Sequence, residues 1–284
     1  MSTIETHDDV KQLVREKYTE IAQQNPAENA ASCCGVGGCA TIDYAVFAED
    51  YSGTEGYVAD ADLGLGCGIP TQFAQIRKGE TVLDLGSGAG NDAFVARAIV
   101  GEDGRVIGVD MTEAMIAKAR ENCRTLGFQN VEFRLGDIEK LPLGAGMIDL
   151  ALSNCVLNLV PDKARAFTEI FRVLKVGGRF SISDVVSAGA LPPKIAEAAE
   201  MYAGCVSGAI PKDEYLGHII RAGFDDVRVV SEKPILIPDE ILARYLSAEE
   251  IAAFHAAGNA IMSVTVTGEK RSCCAPGACS PSKE

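Results

Sequence analysis

The sequence predicts an α/β fold built on a mostly parallel sheet. Two observations carry that expectation. Between Glu80 and Asp184, short apolar runs alternate with longer runs that carry apolar residues at helical spacing. Acidic or glycine-containing segments recur directly after the first three apolar runs, where ligands of open α/β sheets bind. Alternation of this kind implies βαβ units.

The elements follow in order. Asp8 to Gln24 has Val10, Leu13, Val14, Tyr18 and Ile21 at helical spacing and reads as an amphipathic helix. Gln24 to Gly38 is small, polar and glycine-rich, a loop by composition. Thr41 to Gly68 mixes Tyr44, Phe47, Tyr51 and Tyr57 with Gly and Asp, and reads as a cap over a site. Strands are expected at 81–85, 105–110, 131–135, 147–153 and 179–184. Helices are expected at 91–100, 112–126 and 162–174. Thr112 is placed to cap its helix, Gly127 to stop it, and Gly177-Gly178 to separate the last helix from the fifth strand. Further on, helices are expected around Ile195–Tyr202, Lys212–Ala222 and Pro238–Ala257, with strands at Asp226–Ile237 and Asn259–Thr267. The expected organisation is an N-terminal helix and cysteine-bearing cap (1–70), a nucleotide-binding core (71–190), a C-terminal region with the last strands (191–270) and a mobile cysteine-rich tail (271–284).

Composition narrows the partners. The chain of 284 residues has a formal charge of -14 and no Lys/Arg stripe or basic tail. Nucleic acid and anionic membrane surfaces, which need basic patches, are not expected partners. There is no apolar run long enough to span a bilayer, and Met1 to Val10 is acidic and polar, unlike a signal peptide. The expected location is the cytoplasm and the expected state a monomer. Ten cysteines in a reducing compartment point to soft-metal binding, redox work or thiol chemistry rather than to a disulfide framework. Cys33-Cys34…Cys39 and Cys273-Cys274…Cys279 repeat one spacing, CC-x4-C.

Asp84-Leu85-Gly86-Ser87-Gly88-Ala89-Gly90 follows the first strand and opens a helix. The spacing misses the dinucleotide G-x-G-x-x-G pattern. Asp84 places a negative charge where a pyrophosphate would be repelled and a sulfonium or amino group favoured. Asp110, followed by Met111, ends strand two, where a carboxylate can accept from ribose hydroxyls. Asp137-Ile138 after strand three suits an adenine amino group and ring face. This set resembles the class I S-adenosylmethionine-dependent methyltransferases over about Gly79 to Asp184. The resemblance implies their Rossmann-like sheet of seven strands, ending in an antiparallel pair. It implies S-adenosylmethionine bound by Asp84, Gly86, Ser87, Gly88, Gly90, Asp110, Met111, Asp137, Ile138 and Asn154.

Methyl transfer from a sulfonium to oxygen, nitrogen or carbon usually needs a general base. The three histidines, His7, His218 and His255, do not fall at the carboxyl end of an expected parallel strand. An acceptor with its own lone pair needs no base. Trivalent arsenic is such an atom, and thiolates are its natural ligands. Cys155 lies just past the fourth strand, within Ser153-Asn154-Cys155-Val156-Leu157-Asn158-Leu159-Val160-Pro161-Asp162-Lys163. That run, Arg172 to Gly178, Ser183-Asp184-Val185 and Tyr57 to Gly68 resemble the arsenite methyltransferases.

The family resemblance implies four working cysteines: Cys39, Cys67, Cys155 and Cys205. Cys155 and Cys205 would bind As(III) throughout, with Cys67 as third ligand. Cys39 and Cys67 would then relay a disulfide, reduced by glutathione or thioredoxin. Arsenite or its thiol adduct would be the substrate, and region 191–270 would complete the arsenic site. Cys33, Cys34, Cys273, Cys274 and Cys279 are candidates for accessory As(III) capture, and Cys123 reads as a packing thiol. Two other readings stand beside this one. The nucleotide site and Leu141-Pro142-Leu143 also fit a C-methyltransferase of a quinone or other small molecule, and the cysteines fit an arsenite- or zinc-binding protein without turnover.

Overall fold

The computed structural model describes residues 6–24, 49–189, 191–196, 208–256 and 261–271. The expected tail, Cys33, Cys34, Cys39, Cys205, Cys273, Cys274 and Cys279 lie outside the described residues. Seven strands form one sheet: β1 (Thr81–Leu85), β2 (Arg105–Asp110), β3 (Val131–Leu135), β4 (Ile148–Asn154), β5 (Leu174–Ser187), β6 (Asp225–Ile235) and β7 (Ile261–Glu269). Their spatial order is β3-β2-β1-β4-β5-β7-β6. The first five run parallel, and β7 is antiparallel to both β5 and β6. The expected Rossmann-like sheet with an antiparallel end is therefore present, and the C-terminal strands complete the same sheet as the core.

Helices cover both faces. α2 (Asn91–Val100) and α3 (Glu113–Leu126) lie on one side, where Phe94 and Met115 pack on Val82, Val106 and Leu150. α4 (Lys163–Val173) lies on the other, where Phe167 and Ile170 pack on Leu83, Ile107 and Ala151. Successive strand side chains point to opposite faces, so a strand buried on both has no polar alternation. That is why these strands read as continuous apolar runs. α1 (His7–Gln23) opens with a capping box between Thr6 and Asp9 and buries Val10, Val14 and Ile21. After β5 come α5 (Pro193–Ala196), α6 (Lys212–Arg221), α7 (Asp239–Leu242) and α8 (Ala248–Ala256). Among the described residues, no helix is long and apolar enough to cross a membrane.

Two local expectations need correction. The fifth strand begins at Leu174, directly after α4, rather than at Arg179. Its pairs with β4 jump from Ile148↔Leu174 to Leu150↔Arg179, so Lys175 to Gly178 bulge outward. Gly177 supplies the turn with φ +80, and its N–H bonds the Lys270 carbonyl at 2.7 Å. The pairing partner is about ninety residues away, which local sequence cannot show. Thr112 does stand at the N-cap position, but its hydroxyl makes no capping bond. Its N–H instead donates to Asp110 Oδ1 at 2.8 Å.

The segment before β1 is tied down by Arg179. Its guanidinium pairs with Glu80 at 2.8 Å and donates to the Ala74 carbonyl at 2.9 Å and to the Gln75 carbonyl. Both ionic side chains are only 12–13% exposed, so loss of one leaves the other poorly solvated. Arg179→Ala is expected to lower stability by about 2–3 kcal/mol in urea unfolding; a midpoint equal to that of the unaltered chain would contradict this.

Candidate active site

The chain order reverses beside β1: β2 lies on one side of it and β4 on the other. Such switch points place a crevice outside the strands' carboxyl ends. A cavity of about 140 Å³ opens there. Of the residues that the sequence marks for the cofactor or the acceptor, Asp84, Gly86, Ser87, Gly88, Asp110, Met111, Asp137, Ile138, Asn154 and Cys155 line it. Gly90, also expected at the cofactor, is instead the N-cap of α2 with φ +104 and does not line the cavity.

The glycine loop is shaped by two constraints. Gly86 has φ +66, and a Cβ there would lie 2.4 Å from the Val156 side chain. The turn therefore needs glycine for its backbone and again for the approach of the β4 loop. The Gly88 N–H donates to Asp110 Oδ2 at 3.0 Å, which locks the loop to the end of β2.

Three acids meet below this loop. Burial, then the neighbouring Asp92 and Asp110, hold the Asp84 carboxyl well above the ordinary carboxylate range. Burial also pushes Asp92 up to about 6, against hydrogen bonds from Asn154 and Tyr51. Asp84 Oδ2, Ser87 Oγ and Asn91 Oδ1 are buried without hydrogen-bond partners, and all three residues line the cavity. Unsatisfied buried acceptors facing a cavity call for a ligand with donors and positive charge. The amino acid end of S-adenosylmethionine, with its ammonium and sulfonium, fits that set.

Sequence reasoning missed the contribution of α1. Lys11, Val14 and Tyr18 line the same cavity. Lys11 Nζ reaches Asp137 Oδ2 at 2.7 Å and Glu139 Oε2 at 2.5 Å. The helix thus closes one wall by clipping onto the loop after β3. The apolar stripe containing Val14 and Tyr18 was visible in the sequence; its docking partner was not. Tyr51 and Asp62, within the segment read as a cap over the site, also line the cavity, as does Asp92, which was not expected there.

Cys155 follows β4 with φ +58, a left-handed conformation that side chains seldom adopt outside turns. Its N–H still bonds the Ser183 carbonyl at 2.8 Å, extending the ladder with β5 by one residue. The chain then turns into a short 3-10 segment at Leu157–Leu159. Strain of this kind concentrates at functional positions. Cys67 is 2% and Cys155 3% exposed, and both belong to one buried cluster with Val14, Leu159 and residues of the C-terminal helices. Cys123 lies elsewhere, with Sγ 3.6 Å from the Phe128 and Val131 carbonyls, as a packing thiol would. Among the described residues, no three His, Cys, Asp or Glu side chains are grouped as a metal site. His255 pairs with Asp239 at 2.8 Å and His218 lies 3.8 Å from Glu214; neither lines the cavity.

Comparison with known proteins places this geometry. The family described as "Methyltransferase domain" matches residues 76–223. An arsenite methyltransferase of Halobacterium salinarum is 44% identical over 240 residues, 78% of this chain and 59% of that protein. One from Aquipseudomonas alcaligenes is 39% identical over 64% of this chain and 54% of its own length. This chain therefore spans little more than half the length of these two relatives. The crystal structure of an arsenic(III) S-adenosylmethionine methyltransferase from Chlamydomonas reinhardtii superposes with a TM-score of 0.60 at 36% identity, covering 75% of this chain and 68% of that one.

Two outcomes follow from the acidic cavity. Asp84→Asn is expected to weaken S-adenosylmethionine binding about 30-fold or more, ~2 kcal/mol, because a buried charge loses its partner; calorimetric titration reads this, and an unchanged Kd would remove Asp84 from the site. The second concerns pH. With its folded pKa raised, Asp84 stabilises the ligand-free fold at low pH, and that stability is lost as pH climbs through the raised value. A bound cation favours the ionised form and cancels the loss. The Tm increase produced by S-adenosylmethionine should therefore grow as pH rises above the ordinary carboxylate range and through the raised value of Asp84; a flat or shrinking increase would contradict it.

Proposed function

We infer the activity of this chain from one premise: it belongs to the arsenite methyltransferase family, within the class I methyltransferases. Its activity is transfer of methyl groups from S-adenosylmethionine to trivalent arsenic held by its own thiols, giving methyl- and dimethylarsenicals. The observation that carries this reading is that two buried thiols, Cys67 and Cys155, belong to one cluster, with Cys155 lining the acidic cavity.

S-adenosylmethionine, when bound, supplies an electrophilic methyl on a positively charged sulfur. The chain's residues do the rest. Asp84 and the Gly86–Gly88 loop hold the amino acid end; Asp110 serves the ribose, and Asp137 with Ile138 the adenine. Cys155 and Cys67, with Cys205 as third thiolate, hold arsenic and leave its lone pair uncovered. Soft thiolates suit soft arsenic. Burial excludes water, and fixed placement of donor and acceptor supplies the rate enhancement. No proton leaves the acceptor, so no base is required, in keeping with His218 and His255, which do not line the cavity.

Transfer of the methyl raises arsenic by two oxidation units. Two thiolates, Cys67 and Cys39, then join as a disulfide and return two electrons to arsenic, which becomes trivalent again. Glutathione or thioredoxin reduces that disulfide. Cys33, Cys34, Cys273, Cys274 and Cys279 are accessory thiols for capture. The protein works in the cytoplasm as a monomer.

The test is direct. Purified chain incubated with S-adenosylmethionine, arsenite and glutathione should yield methylated arsenic species separable by chromatography. Cys155→Ser should lower turnover at least about a hundredfold, as loss of a soft ligand in a buried site implies. Absence of any methylated arsenic would sink the proposal. A quinone-analogue acceptor methylated in its place would select a C-methyltransferase instead, and arsenite binding without product would select a binding protein.

A further inference from the structure

Asp92, second residue of α2, has no part in the scheme above, yet it is buried at 8% exposure beside the cofactor loop. Both its oxygens are spent on the acceptor side of the cavity. The Tyr51 hydroxyl donates to Oδ1 at 2.8 Å, and the Asn154 amide donates to Oδ2 at 3.1 Å. The same amide nitrogen also reaches the Tyr51 hydroxyl at 2.7 Å and the Gly68 carbonyl at 2.9 Å. On its other side, Asn154 Oδ1 accepts from the Cys67 N–H at 3.1 Å. The Ser263 hydroxyl donates to the Cys67 carbonyl at 2.5 Å. Both backbone polar groups of Cys67 are therefore fixed, one to the end of β4 and one to β7.

Packing leaves this segment no slack. A Cβ on Gly66 would lie 2.5 Å from Asn154 Nδ2, and one on Gly68 would lie 2.6 Å from Ser183 Oγ. The chemistry of the three side chains also dictates one orientation. An ionised carboxylate accepts and never donates. Facing Asp92 and the Gly68 carbonyl, neither of which can donate, the Asn154 amide must present its nitrogen, and its oxygen is thereby turned to the Cys67 N–H. An asparagine at position 92 would remove the charged acceptor and leave that orientation to the Gly68 carbonyl and the Cys67 N–H alone.

Resting on the reading of Cys67 and Cys155 as arsenic ligands, we propose that Asp92 and Tyr51 are positioning residues of the acceptor site. They act through Asn154. Because Asn154 immediately precedes Cys155, orienting its amide fixes where Cys67 stands relative to Cys155. A carboxylate on the cofactor's helix thus sets the spacing of the two thiols.

The test uses phenylarsine oxide, a trivalent arsenical that bridges thiols without turnover. Protection of individual cysteines from alkylation is mapped by mass spectrometry across a titration, with S-adenosylmethionine affinity measured separately by calorimetry. In the unaltered chain, Cys67 and Cys155 should become protected together. In Asp92→Asn and in the milder Tyr51→Phe, the arsenical concentration that half-protects Cys67 should rise about tenfold or more, one to two hydrogen bonds' worth. Cofactor Kd should stay within about threefold in Tyr51→Phe, which keeps all three acids, and in Asp92→Asn should rise less than the half-protecting arsenical concentration, since that variant also removes one of the acids around the donor. In turnover, Tyr51→Phe should raise KM for arsenite while KM for S-adenosylmethionine holds. Unchanged protection of Cys67 in both variants overturns the proposal. Equal loss of arsenical protection and cofactor affinity also overturns it, since that is general collapse of the cavity. Because protection needs no methylation, a chain that shows the expected shift but makes no methylated arsenic overturns the proposed activity alone.

Discussion

One backbone hydrogen bond, from the Cys155 N–H to the Ser183 carbonyl, governs the whole upper edge of the sheet. It carries the β4–β5 ladder one residue past the strand, where the backbone turns left-handed. Val156 then falls onto Gly86, Leu159 joins the thiol cluster, and Asn154 remains in register with Ser183. Shift that register by one residue and every side chain on β4 changes face. Cys155 would then leave the cavity, and Asn154 would lose the Cys67 segment. The sheet's central pairing is thus also the alignment device for the chemistry.

Electrostatics add a second constraint. Asp84, Asp92 and Asp110 crowd one side of the cavity, and burial opposes their ionisation. Such a site is unfavourable when empty and favourable around a cation. It selects the positively charged donor over its neutral-sulfur product, since the product retains the ammonium but has lost the sulfonium charge. The same acids do not serve as a base toward the acceptor. Asp92 is committed to Tyr51 and Asn154, and Asp110 to the Gly88 and Thr112 N–H groups. In the proposed reaction, recognition of the donor and presentation of the acceptor are therefore divided between carboxylates and thiols.

Much of this was legible in the sequence, for identifiable reasons. β1, β2 and β4 are buried on both faces, so their apolar runs announce them. Asp84, Asp110 and Asp137 stand at strand ends, where a local pattern suffices to place them. Cys155 was legible as a thiol at a strand end, but its left-handed backbone was not, because that depends on β5. The early start of β5 was hidden in the same way, since Lys175 to Gly178 find their partner at Lys270. Tyr51 was legible only as part of a cap, and Asp92 and Lys11 escaped, because their partners are distant in the chain: Tyr51 meets Asp92 and Asn154, and Lys11 meets Asp137. Asp92 did leave one trace, a charged residue in the first turn of a helix otherwise packed with Ala, Phe and Val.

The direction of β7 decides at which edge of the sheet the described chain ends. Because it runs antiparallel to β5, it passes Ser183 at Thr265 and ends beside Arg179, with Lys270 still paired to Gly177 and Gly178. From Thr265 to Arg271 the chain descends about 20 Å away from the cavity edge. The strand thus carries the chain from the cavity edge to the opposite edge of the sheet, where Arg271 lies 3.8 Å from Asp226 and 3.6 Å from Glu269.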